Sequence, residues 1–452
     1  MIAKVSDFME FVDTIAAIST ALAESAISMV RISGSEAVSI ADRLFSKSVF
    51  NQKSHTMQYG FIKDPQTGEI VDEVLLSLFR APRTYTTEDI VEINCHGGIV
   101  VTQRILALIL SQGARLAYPG EFTQRAYIYG RIDLTQAESV IDLIQAHSEQ
   151  SASLAIAGVR GSISKLLQPL LDDLLSIIAH IEVNIDYPEY EDIVQLTQQD
   201  IYPKAKKWLS DLAMIIDRSK SGKIVREGVK TVILGKPNVG KSSLLNALLE
   251  EEKAIVTEIA GTTRDLVEGW IRLKNVTLHL MDTAGLRDTE DRVEQIGINK
   301  TKQAMSEADL VIVVLDASAA EDEYDHQLLE LTKDKPRIIV YNKSDIKKTD
   351  QGLYISALNQ DIAPLVDAIE ELFAHHQVVI KEPTLSNQRQ IGLAMSAYHS
   401  MEAAIASIEN GLEVDVITID LQSAYQSLQA ILNNQSQPKL LDEIFGRFCL
   451  GK

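Results

Sequence analysis

The sequence predicts a multidomain α/β chain in which a doubly wound sheet is inserted into a helical region that follows a small α+β region. Three observations predict it. Residues 1 to about 118 alternate short apolar runs with polar breaks. Helical periodicity then dominates on both sides of residues 228–378. Within that central stretch, an apolar run from Val229 to Leu234, a glycine loop and a helical run from Ser243 to Leu249 follow in the order strand, loop, helix. A chain of 452 residues is too long for one ordinary core, so two or three domains are expected.

In the first region, Ile27 to Ile32 alternates like a strand, as do Val74 to Phe79 and Ile90 to Asn94, while Val38 to Phe45 and Val100 to Leu110 read as helices. Arg31 and Glu92 interrupt strands otherwise fit for burial, and the ordinary account puts both on a solvated strand face. From Pro119 the pattern turns helical over Phe122–Gly130, Thr135–His147 and Ser151–Ile185, with Pro169 expected to kink or divide the last. After an acidic break at 186–192, a helix is expected from Ile201 to Arg218, then a hinge at Ser221-Gly222 and Gly228. Pro383 to Gln390 reads as a second linker, followed by helices over Ile391–Ile408, Asp420–Leu432 and Leu440–Phe448. The expected domains are 1–118, 119–227, 228–378 and 379–452, the second and fourth forming one discontinuous helical domain.

The formal net charge is −20, from 43 basic and 63 acidic residues, so any RNA contact must use a local basic patch or a basic partner. The two cysteines, Cys95 and Cys449, exclude a disulfide scaffold. No apolar run reaches a membrane-spanning length, and Met1 to Phe11 lacks the layout of a signal peptide. A cytoplasmic protein without membrane contact is the expectation. His375-His376 reads as a solvated helix end rather than a metal site.

The glycine loop, Gly235-Lys236-Pro237-Asn238-Val239-Gly240-Lys241-Ser242, is a phosphate-binding pattern. Its glycines let backbone N–H groups turn inward, and the following helix presents its N-terminal dipole to the same anion. Lys241 suits the β- and γ-phosphates and Ser242 a Mg²⁺ ion. Asp282-Thr283-Ala284-Gly285 ends the apolar run Val276–Met281, where an acid can hold Mg²⁺ through water and the Gly285 N–H can meet a γ-phosphate. Asn342-Lys343-Ser344-Asp345 follows Arg337–Tyr341, and the Asp345 carboxylate can accept two N–H donors from a guanine edge. Ser356-Ala357 would cover the base. The order and separation of these stretches resemble the GTPases among P-loop proteins.

Small GTPases orient the attacking water with a glutamine directly after Asp-x-x-Gly; here that position is Leu286. Asn238 offers a neutral acceptor beside the phosphates. Gly261-Thr262-Thr263-Arg264-Asp265 looks like a switch, with Thr263 able to ligate Mg²⁺ and Arg264 open either to a finger role or to neutralisation by Asp265. Spacing leaves Glu294 open between orienting water and being a solvated acid.

Over nearly its whole length the chain resembles the tRNA-modification GTPases of the MnmE/TrmE type. The residues that carry this are Val30-Arg31-Ile32-Ser33-Gly34, Cys95-His96-Gly97-Gly98, Pro119-Gly120-Glu121-Phe122-Thr123, Asp133 to Glu138, the glycine loop, Gly261 to Asp265, and the terminus Phe448-Cys449-Leu450-Gly451-Lys452. The resemblance implies a folate-binding-like N-terminal α+β domain, a discontinuous helical domain and an inserted P-loop GTPase domain. It implies a GTP site of Asn238, Val239, Gly240, Lys241, Ser242 and Ser243; of Thr257, Glu258, Ile259, Ala260, Gly261, Thr262 and Thr263; of Asp282, Thr283, Ala284 and Gly285; and of Asn342, Lys343, Asp345, Ser356 and Ala357. It further implies Mg²⁺ on Ser242 and Thr263, K⁺ on Asn238, Thr257, Ile259 and Thr262, and Glu294 as the catalytic residue.

A tetrahydrofolate one-carbon donor, in a 5-formyl or 5,10-methylene form, is implied at Arg31, Glu92, Arg131 and Lys452. Two departures stand out: the chain reads Ala21 to Ala26 where glycines are usual, and Arg131 where lysine is common. Cys449 reads either as a redox or nucleophilic residue or as an apolar plug. The resemblance implies a K⁺-stimulated enzyme that helps add a carboxymethylaminomethyl- or aminomethyl-type group to C5 of the tRNA wobble uridine. Its implied partners are tRNA, a second copy through the N-terminal domain, and an FAD-dependent protein of the MnmG/GidA type in a heterotetramer, the FAD lying on that partner. The rival reading is a regulatory GTPase scaffold in ribosome assembly, against which the Arg31, Glu92 and Lys452 set weighs.

Overall fold

The computed structural model describes residues 13–186, 201–251, 269–273, 276–281, 305, 307–347, 352–373, 383–412, 414–433, 438–448 and 451. They form two compact units, one of residues 1–141 with 429–452 and one of residues 142–428.

The first unit holds β1 (Ile15–Ile18), β2 (Ser25–Ser33), α1 (Ala37–Leu44), β3 (Thr56–Lys63), β4 (Ile70–Phe79), β5 (Ile90–Gly97), α2 (Ile99–Ser111), β6 (Arg115–Leu116) and α3 (Glu121–Ile128). Its six-stranded sheet runs β3-β4-β5-β2-β1-β6, with only the β1–β6 pair parallel. Alternation decides the two faces. Val30 and Ile32, Leu76 and Leu78, and Val91 and Ile93 turn to one core with Ile40, Leu44, Ile105 and Ile109 of α1 and α2. Arg31 and Glu92 therefore turn to the other face, where they stand directly opposite each other. On that face Ile27, Met57, Tyr59 and Leu75 are exposed. The sequence missed β1, β3 and β6, which lack a clean alternating run.

Helix α4 (Leu134–Ile144) leads into the second unit through α5 (Glu149–Val159), α6 (Ser162–Asp186) and α7 (Tyr202–Glu227). Pro169, expected to kink or divide this segment, lies inside α6 without dividing it; the break comes earlier, at Gly161, whose φ is +77°. One lost hydrogen bond is outweighed by the buried stripe of Leu167, Leu170, Leu174, Ile177, Ile178 and Ile181. Nor do Ser221 and Gly222 break the chain: α7 runs through them to Glu227 and ends at Gly228 (φ +74°). Gly222 is a contact glycine instead, since a Cβ there would come 2.6 Å from Thr384 Oγ1.

The parallel sheet follows: β7 (Val229–Leu234), α8 (Lys241–Glu251), β8 (Gly269–Arg272), β9 (Thr277–Leu280), β10 (Leu310–Asp316), α9 (Glu323–Leu331), β11 (Arg337–Asn342), β12 (Leu353–Tyr354) and α10 (Ala363–Phe373). Its order is β12-β11-β10-β7-β9-β8, and only β8 is antiparallel. Central strand β10 is apolar from Leu310 to Leu315 because both faces are covered. Ile312 and Val314 pack with Leu244, Leu248 and Leu365 on one side, and Val311, Val313 and Leu315 with Val232 and Leu328 on the other. This is a doubly wound sheet.

Two more helices follow, α11 (Gln388–Glu409) in the second unit and α12 (Val414–Leu432), whose last turn from Gln429 already counts with the first unit, as does α13 (Pro438–Gly446). The chain enters and leaves the sheet at neighbouring points: the Ser219 hydroxyl of α7 accepts from Leu385 N at 2.9 Å, just before α11. Phe445 and Phe448 pack with Tyr127, Leu134 and Ala137 in the first unit. Among the described residues, no helix is long and apolar enough to cross a membrane.

Candidate nucleotide and N-terminal sites

The glycine loop joins β7 to α8 at the carboxyl edge of the parallel sheet, the usual ligand edge of this architecture. Two residues in it are left-handed, Asn238 at φ +63° and Gly240 at φ +96°. Gly240 is required sterically as well, because a Cβ there would lie 2.2 Å from Asn342 Nδ2. That close approach is a junction: Asn342 Nδ2 donates to Val239 O at 2.8 Å, and Asn342 Oδ1 accepts from Ala357 N at 3.0 Å. One buried amide thus ties the phosphate loop to both base-side loops. The Ser356 hydroxyl donates to Asp345 Oδ1 at 2.6 Å, orienting the carboxylate, and Lys343 Nζ donates to Asp316 Oδ2 at 2.6 Å. Lys241 Nζ donates to Lys236 O at 2.6 Å, inside the turn where phosphates would sit. Ser242 and Ser243 are exposed at the start of α8.

These residues fit the groups expected of them. Backbone N–H groups at the α8 terminus suit phosphate, the exposed Ser242 hydroxyl suits a hard cation, and the exposed Asn238 amide has no hydrogen-bond partner among the described residues. Thr257, Glu258, Ile259, Ala260, Gly261, Thr262, Thr263, Asp282, Thr283, Ala284, Gly285, Glu294, Cys449 and Lys452 lie outside the described residues.

The second site lies on the outer face of the N-terminal sheet. Arg31 Nε donates to Glu92 Oε1 at 2.9 Å, and Arg31 Nη1 donates to Gly451 O at 3.2 Å. Gly451 O also accepts from the Ser19 hydroxyl at 3.1 Å. Only glycine fits at 451: φ is +89°, and a Cβ would fall 2.4 Å from Ile18 O. The Arg31 guanidinium stands 5.6 Å from the centroid of the Phe122 ring. Glu92 Oε2 has no partner among the described residues, so an acceptor is available for paired N–H donors, as a pterin would offer. Arg131 lies over the Tyr85 ring at 4.9 Å, and the Tyr85 hydroxyl meets Thr123 Oγ1 at 2.9 Å.

A buried charge network holds this corner. Arg125, fully buried, contacts Asp13, Glu88 and Glu121 at 2.7, 2.8 and 2.9 Å, and Arg115 joins Asp13 and Glu121. Burial disfavours the Glu121 carboxylate, but bonds from Arg115, Tyr118 N and Arg125 outweigh it and hold its pKa below the usual range. Sequence reasoning missed this network, the Phe122 contact and the Gly451 carbonyl. The quoted Pro119–Thr123 stretch and the C-terminal motif were the available signals.

Fold and loop together define a P-loop protein of the GTPase class. Family models extend this: the MnmE helical domain matches residues 134–449, and the GTP-binding protein TrmE N-terminus matches residues 14–131. The tRNA modification GTPase MnmE of Bacillus thuringiensis (strain Al Hakam) is 47% identical over 459 residues, spanning 98% of this chain and 100% of that protein. The protein of the same name from Bacillus mycoides (strain KBAB4) is 47% identical over the same spans. The G domain of the T. maritima FeoB iron transporter overlays with a TM-score of 0.25 at 27% identity, over 33% of this chain and 98% of that one. The chain belongs to the MnmE family of tRNA modification GTPases.

Proposed function

We propose that this chain hydrolyses GTP to support addition of a carboxymethylaminomethyl- or aminomethyl-type group at C5 of the wobble uridine, position 34, of certain tRNAs. The observation that carries the nucleotide half is the Asn342 junction, which sets the phosphate loop and the Asp345–Ser356 base reader in one frame. Asp345 selects guanine by accepting from its paired donors, which adenine lacks in that arrangement. Lys241 and the α8 N–H groups bind the phosphates. Glu294 orients water in place of the missing glutamine at Leu286. Ser242 and Thr263 would hold Mg²⁺, and Asn238 with Thr257, Ile259 and Thr262 would hold K⁺. A cation there would supply positive charge for the developing β–γ charge.

The one-carbon half rests on the Arg31–Glu92–Gly451 cluster, which brings the C-terminal motif to the N-terminal sheet. Arg31, Glu92, Arg131 and Lys452 would bind a tetrahydrofolate derivative, Glu92 accepting from the pterin and the cations meeting carbonyl or anionic groups. The domains of this reading are 1–118, 119–227, 228–378 and 379–452. A homodimer through the N-terminal domain is supported by the exposed apolar face of Ile27, Met57, Tyr59 and Leu75. An FAD-dependent MnmG/GidA-type partner completes the reaction in the cytoplasm. Modified-nucleoside analysis of tRNA from cells lacking this protein tests the reading. Loss of the C5-modified wobble uridine is expected; an unchanged nucleoside profile would reject it.

A further inference from the structure

The phosphate loop carries a second lysine, Lys236, whose ammonium is engaged outside the phosphate cradle. Its Nζ lies 2.6 Å from Asp322 Oδ2 and 2.5 Å from Asp325 Oδ2. Those two acids are the capping box of α9. Asp322 accepts from Tyr324 N and Asp325 N, and Asp325 Oδ2 accepts from Asp322 N. Asp325 is buried, and its Oδ1 has no hydrogen-bond partner among the described residues. Lys236 is its counter-charge among the described residues. The buried Asp325 carboxylate needs such a partner, which makes that half of the bridge the anchor; the Asp322 half, 60 % exposed, is a surface pair that adds to it.

The anchor sits two residues before Asn238. Asparagine tolerates the left-handed region better than other non-glycine residues, yet at φ +63° the turn still costs some energy that contacts on either side must hold. On the far side of Asn238 the loop is tied by Val239 O to Asn342. On the near side, Lys236 carries two ties: its carbonyl accepts from Lys241 Nζ at the start of α8, and its ammonium bridges out of the loop to the α9 cap. We infer that Lys236 is a positioning residue for GTP hydrolysis: its bridge to Asp322 and Asp325 holds the Asn238 turn against the phosphates. This rests on the reading that the chain hydrolyses GTP. The base and the α- and β-phosphates are gripped through Asp345, Lys241 and the α8 terminus, which the Asn342 junction still holds. Loss of the anchor therefore falls on the transition state more than on binding.

The test measures kcat and KM for GTP, fluorescent GDP affinity and Tm on the full chain. Lys236→Met is expected to lower kcat about tenfold or more, since small misplacements near reacting atoms cost up to about 10²-fold. KM and GDP affinity should stay within about threefold, and Lys236→Arg should recover most of the rate. Asp322→Asn keeps a good N-cap while deleting a charge, so it decides the matter if Lys236→Met does not fold; a few-fold loss in kcat is expected. A lower Tm with unchanged kcat, a rise in KM alone, or an arginine variant as slow as the methionine one would overturn the inference. Wild-type protein that hydrolyses no GTP would instead defeat the proposed function.

Discussion

At the nucleotide site each motif is a short contiguous stretch, and one buried side chain, Asn342, joins stretches 103 positions apart. At the N-terminal site the contacting residues come singly from distant stretches. Arg31 meets Glu92 across 61 positions and Gly451 across 420, each supplied by a different part of the chain. The first site is made by loops whose backbone must turn in a left-handed way, so glycines mark it. The second is made by strand register and by a C-terminal segment folded back onto the sheet. Two sites of such different construction should fail separately.

The sharpest break between them is expected at the N-terminal site. Glu92→Ala, and separately removal of Lys452, should abolish tetrahydrofolate binding in calorimetry while GTP hydrolysis stays nearly intact. If neither weakens folate binding, the pocket assignment is wrong. The reverse break is Glu294→Ala, which should lower kcat for GTP at least about 100-fold with similar nucleotide affinity and unchanged folate binding. A KM effect alone would make Glu294 a solvated acid.

A smaller effect separates the nucleotide site's own parts. Hydrolysis should run about tenfold or more faster in K⁺ than in Na⁺ at equal ionic strength, and Asn238→Ala should remove most of the difference while Lys241 still holds nucleotide. Equal wild-type rates in the two salts would return Arg264 as the leading cation. The smallest effect belongs to the loop beside the N-terminal site. Thr87 is β-branched at φ +66°, so Thr87→Gly should relieve strain and raise stability by about 1 kcal/mol in denaturant unfolding. A destabilised glycine variant would show that the Thr87 side chain contributes more than its backbone costs.

Much of this was legible in residue order. The strand–loop–helix pattern at 229–249 and the asparagine, aspartate and serine behind it located the nucleotide site, because phosphate loops impose local backbone demands that few residues meet. The apolar run of β10 marked a strand covered on both faces. Arg31 and Glu92 stood out as charges in apolar strands, yet periodicity alone made them an ordinary solvated face. Their pairing depends on the β2–β5 register, which sequence spacing does not encode. Gly222 shows the opposite error: it looked like a hinge because glycine is rare in helices, but close contact with Thr384 explains it.

The sequence by itself determined the alternation of strands and helices, the glycine loop and the base-reading motif. These follow from side-chain period and backbone sterics, which act over a few residues. Tertiary structure decided what lies beside what: Lys236 against the α9 cap, Asn342 against Val239, and Gly451 against Arg31. Those contacts join parts of the chain that no local rule connects, and each exists because a buried polar group must find a partner once water is excluded.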